Sequence, residues 1–119
     1  MTVDAREGDL LLQLRVVPST QGISAEASLT NQGQQPWPYT AGGDLPPLVQ
    51  IEARDAEGGL VYRWTPPFAR AHWRAQRVLE PGESMEQRAT IPTQGRVYVR
   101  AFVTGRPGLT TDEIQVPGA

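Results

Sequence analysis

Few residues in this chain could do covalent or metal chemistry. His72 is its single histidine, and it has no cysteine. A Ser-His-acid relay needs the imidazole beside a nucleophile and a carboxylate, and no serine sits in a nucleophile-elbow pattern. Zinc needs several nitrogen or sulfur ligands, and calcium needs a cluster of oxygens. Glu80, Glu83 and Glu86 are close in sequence but lie across a Pro-Gly turn and on the polar side of a strand, as a solvated surface does. Asp55 and Glu57 share a short glycine-ended loop that reads as a hairpin rather than a calcium loop. No phosphate-cradling glycine loop precedes a helix. All eleven basic residues are arginine, so lysine Schiff-base chemistry is excluded. The expectation is a non-catalytic chain with no metal and no cofactor.

The side chains suited to binding are aromatic and guanidinium groups. Trp37, Tyr39, Phe68 and Trp73 fall in two long connections, 32–47 and 65–75, and the second also holds Arg70 and Arg74. Trp, Tyr and Arg dominate the energetics of protein interfaces, so these six residues form the candidate contact surface, on segments 36–47 and 65–75. The alternative for the aromatics is that they fold back as lids on an open end of the core. The arginine bias itself has two readings, a recognition surface or a genomic preference for Arg and Ala.

The elements that must carry these residues are strands. Eleven prolines and twelve glycines break nearly every window long enough for a helix. Between them run alternating segments. Leu10, Leu12, Leu14 and Val16 share one face, and so do Ile23, Ala25, Ala27 and Leu29. The same holds for Val49, Ile51 and Ala53, for Met85, Gln87, Ala89 and Ile91, and for Val97, Val99, Ala101 and Val103. Further runs are 60–64, 77–80 and 112–116. Trp64 falls in strand register, which places it in the core as an anchor. Tyr98 and Phe102 fall opposite Val97 and Val99, on a second face that is either loop-covered or an exposed patch. Turn signals separate the runs, notably Asp55-Ala56-Glu57-Gly58-Gly59 and Glu80-Pro81-Gly82-Glu83. Regular short strands of this kind predict one domain over 1–119, an immunoglobulin-like antiparallel β-sandwich of about seven to nine strands.

The bulk numbers narrow the partners. At 119 residues the chain can bury a self-sufficient core without disulfides. A net charge of −2 offers no basic field for a phosphate backbone, so nucleic acid is not expected. No apolar run approaches the ~20 residues that span a bilayer, so no membrane insertion is expected. The start, Met1 to Gly8, lacks a basic-then-apolar leader, which points to the cytoplasm, or to export if a leader precedes it.

The order of segments resembles the BsuPI family of bacterial intracellular proteinase inhibitors. The likeness is carried by Asn31, by Val49-Gln50-Ile51-Glu52-Ala53-Arg54-Asp55, and by Gly59-Leu60-Val61-Tyr62-Arg63-Trp64. It continues through Leu79-Glu80-Pro81-Gly82-Glu83-Ser84 and Gly95-Arg96-Val97-Tyr98-Val99-Arg100-Ala101, and so covers roughly 27–104. The resemblance implies an immunoglobulin-like sandwich and a protein partner, a subtilisin-type serine protease. It brings no catalytic residue and no inhibitory loop. Two other readings stand beside it. One is an interaction domain of the cell envelope that uses exposed strand edges. The other is a carbohydrate-binding module, for which the loops supply only Gln34, Gln35 and Asp44 beside the aromatics.

Overall fold

The computed structural model describes residues 1–20, 22–43, 45–65, 73–92 and 95–117. These residues form eleven strands and no helix: β1 (Thr2–Glu7), β2 (Leu10–Ser19), β3 (Gly22–Asn31), β4 (Trp37–Gly42), β5 (Val49–Asp55), β6 (Leu60–Tyr62), β7 (Arg74–Leu79), β8 (Ser84–Ile91), β9 (Val97–Val103), β10 (Arg106–Thr110) and β11 (Ile114–Val116). The all-β sandwich read from the sequence is the observed fold. The strand number is not, because eleven strands replace the seven to nine expected. The additions are β1, whose inward positions hold Val3, Ala5 and the charged Glu7, β4, which contains Pro38, and β10, which contains Pro107 and Gly108. Weak apolar alternation and imino acids hide all three from a period-two reading.

One sheet runs β1-β2-β3-β8 and the other β10-β9-β5-β6, with β11 also pairing β9. Every pairing is antiparallel. The alternating faces meet between the sheets. Leu12, Leu14, Val16, Ala25, Ala27 and Leu29 of the first sheet and Ala53, Val99 and Ala101 of the second are fully buried there. Burial of this apolar surface is the main stabilising term of the fold.

Both expected tight turns are present. Asp55 Oδ1 accepts from Glu57 N at 3.0 Å and from Gly59 N at 2.7 Å, so its carboxylate caps the β5–β6 hairpin. The 80–83 turn closes through Glu83 N to Glu80 O at 2.9 Å. Gly82 there holds φ +81°, the position a Pro-Gly turn reserves for glycine.

A third, two-stranded sheet pairs β4 with β7, from Trp37 opposite Leu79 to Gly42 opposite Arg74. Here the sequence reading is corrected twice. The connection 32–47 contains a strand, and the run expected at 77–80 begins earlier, at Arg74. β4 tolerates Pro38 because a two-stranded ribbon leaves one edge of each strand without ladder bonds.

Candidate functional site

The ribbon is tied to the sandwich at one end by Asn31, the last residue of β3, which is 1% exposed. Its side-chain amide donates to Gln35 O at 2.8 Å and to Leu79 O at 2.9 Å. Its Oδ1 accepts from Gly33 N at 2.9 Å. Asn31 thus fixes the approach to β4 and the end of β7 together, and every polar group of its side chain has a partner. Leu79 is 2% exposed and locks the same end into the core.

Alternation along the ribbon puts Trp37, Tyr39 and Ala41 on one face with Ala75, Arg77 and Leu79. Trp37 and Tyr39 are half-buried and pack against the core. Their rings stack with centroids 6.0 Å apart and planes 21° apart. The Arg106 guanidinium lies 5.7 Å from the Trp37 centroid, and Arg106 pairs with Glu7 of β1. This chain of contacts ties β1, β10 and β4. Trp37 and Tyr39 thus rest on the core with one side and keep part of each ring at the surface.

Trp73 differs. It is 45% exposed, just before β7, and the Arg77 guanidinium sits 5.9 Å from its ring centroid. Arg74 opens β7, is exposed, and its Nη1 donates to Trp73 O at 3.2 Å. Phe68 and Arg70 lie outside the described residues, as does His72.

A groove of about 550 Å³ runs between the ribbon and β8, with Tyr39, Leu48, Trp64, Trp73 and Arg77 on its walls and Met85, Glu86 and Gln87 along β8. A smaller hollow of about 280 Å³, which includes Trp37, Leu45, Pro46 and Arg106, lies against the same ribbon. The segment between β4 and β5 separates them, and Thr104 holds it in place. Its Oγ1 donates to Pro47 O at 2.7 Å, and its N–H donates to Leu48 O at 2.8 Å. Arg77, Arg106, Met85 and Gln87 escaped the sequence reading of the site, because β7, β10 and β8 reach the aromatics only through the tertiary fold.

Trp64 is corrected as well. It lies past the end of β6, is half-buried, and lines the groove rather than joining the core. Tyr98 and Phe102 are half-buried on the outer face of β9, with Arg100 between them. Their partners across the ladder are Arg54 and Gln50, and Arg54 and Arg100 both reach Glu52, at 2.9 and 3.3 Å. A charged row therefore runs beside the two rings.

Among the described residues no three histidine, cysteine or acidic side chains come together as a metal site. Among them, no helix is long and apolar enough to cross a membrane. No family model matches the chain, and no curated protein matches it. Among solved structures it is similar to β-glucosidase 3B from Thermotoga neapolitana, determined in complex with α-D-glucose, at 15% identity and a TM-score of 0.45. The match covers 98% of this chain and 17% of that one. A likeness at that level carries no statement about function.

Proposed function

We propose that this chain is a non-catalytic protein-binding module that works as a proteinase inhibitor, with a subtilisin-type serine protease as the partner. The observation that carries the binding role is Trp73, 45% exposed with Arg77 against its ring, at the mouth of a groove walled by Tyr39 and Trp64. An exposed indole beside a guanidinium on a rigid scaffold is the usual anchor of a protein interface, because it buries large area at a small entropic cost. The protease comes from the resemblance in segment order. Titrating a subtilisin-type protease with the purified chain tests it. Activity should fall in proportion to added chain, to zero near equimolar amounts, with the chain left intact. Full activity in molar excess removes the protease as target.

The envelope-assembly reading would use the edge of β8, which is eight residues long and pairs with β3 alone among the described residues, a feature that any strand-adding partner could use. An exported chain would be recovered with the envelope fraction and not with a soluble protease.

A further inference from the structure

The edges of these sheets are unequal in what they could accept. An open strand edge is a template for another strand, and proteins protect edges with short length, proline, bulges and charge. Among the described residues, β6 and β11 have three residues each. β10 contains Pro107 and a register shift, β4 contains Pro38, and β7, its partner in the ribbon, is six residues long and carries Arg74 and Arg77. β1 carries Asp4, Arg6 and Glu7, the last tied to Arg106. β8 has none of these devices except surface charge. It is eight residues long, and its ladder with β3 runs without a shift from Ile91 to Ser84. No proline interrupts it, and among the described residues it pairs with β3 alone.

The groove lies along this edge. A strand added beside β8 would place alternate side chains over the groove, against Trp64, Trp73, Leu48 and Met85. The other side chains would lie beside Ser84, Glu86, Arg88 and Thr90, which are exposed on the outer face. Arg88 pairs with Glu86 at 3.6 Å and with Glu26 of β3 at 3.4 Å, but Glu86 and Arg88 are 52% and 73% exposed, so a charge on a neighbouring strand can compete for each of these weak surface pairs.

Resting on the protein-binding reading, we infer that the β8 edge takes an extended segment of the partner protein as an added antiparallel strand. The segment is apolar at the positions over the groove. It is basic beside Glu86 and acidic beside Arg88.

The test uses the whole chain and acetylated, amidated peptides of about eight residues, the length of β8. Valine and leucine alternate with polar residues, including a lysine placed for Glu86 and a glutamate placed for Arg88. Binding is read by calorimetry and tryptophan fluorescence. Two further peptides are N-methylated, one at its odd residues and one at its even residues. Strand addition uses the N–H groups of one edge only, so one methylated peptide should keep its affinity. The other should lose at least about tenfold, because several backbone hydrogen bonds go together. Glu86→Lys should weaken the lysine peptide by about two- to fivefold and be rescued by glutamate at that position. Equal binding of both methylated peptides overturns the inference, since side chains alone would then hold the ligand. Dimerisation of the chain that Glu86→Lys abolishes overturns it too, because the occupant would be a second copy. If the protease is inhibited but no peptide binds, the edge inference falls and the proposed function stands. If peptides bind as described but no protease is inhibited, the edge stands and that target falls.

Discussion

Asn31 and Leu79 meet across 48 residues of sequence, the amide of one donating to the carbonyl of the other at 2.9 Å in a buried setting. That bond joins the end of β3 to the end of β7. The same amide also holds Gln35, ahead of β4. Asn31→Ala should therefore cost about 2–4 kcal/mol, since it leaves the buried Leu79 carbonyl without that donor and also removes the part-buried bonds to Gln35 O and from Gly33 N. Asn31→Asp should cost more at neutral pH, because a carboxylate would face two carbonyl oxygens with no proton to donate. Urea midpoints of the two variants check both the size and the order. Equal midpoints for the wild type and Asn31→Ala would mean that water replaces the amide.

Trp37 is expected to report on stability rather than on recognition. It stacks on Tyr39, lies under Arg106 and packs against the core. Trp37→Ala should lower stability by about 2–4 kcal/mol, toward the lower end for a large aromatic because the ring is only half-buried. Denaturant unfolding measures the loss, and the fraction that stays folded should bind its partner as the wild type does.

The sandwich was legible in the sequence where alternation was strong. β2 and β3 place Leu12, Leu14, Ala25, Ala27 and Leu29 on one face, and a period of two is enough to say so. The ribbon was not legible. Pro36, Pro38 and the nearby glycines read as a loop, and β4 exists only because β7 and Asn31 come to it from elsewhere in the chain. The same distance effect decided the aromatics. Trp37, Tyr39 and Trp73 were found by residue type, but nothing local says that Arg106 covers the first and that the last stays exposed. Trp64 misled because apolar run and strand were taken to end together, whereas pairing stops at Tyr62.

Arg106 joins two interactions that a double-mutant cycle can separate. It pairs with Glu7, and the two side chains are 40% and 37% exposed, so the ion pair should couple by only about 0.2–1 kcal/mol. Raising the salt concentration should reduce that coupling. Arg106→Gln should cost more than Glu7→Gln, because it also removes the cation from the face of Trp37, worth roughly 0.5–1 kcal/mol at such a site. Thermal unfolding of the wild type, the two single variants and the double variant gives the ion-pair coupling, and the difference between the single losses reports the cation–π contact. Equal losses for the two single substitutions would mean that the cation–π contact contributes nothing.

Trp73 should behave oppositely to Trp37, and the contrast between them tests the site most directly. Its side chain is 45% exposed and lies at the rim of the groove, outside the core. Trp73→Ala should thus change stability by no more than about 1 kcal/mol, as surface substitutions away from packed features do. If Trp73 anchors the partner, the same variant should lose about 2 kcal/mol or more of binding, close to thirtyfold in Kd. Arg77→Ala should lose less, since Arg77 supports the ring from one side and its own head group stays near water. Trp64→Ala belongs between them. It lines the same groove but is half-buried, so it should show both a measurable stability loss, about 1–2 kcal/mol, and weaker binding. Measuring midpoint and affinity on each variant places all of them on one plot. A Trp73→Ala chain that unfolds easily yet binds normally when folded would put the indole among the lids, with Trp37, and move the contact surface away from the groove.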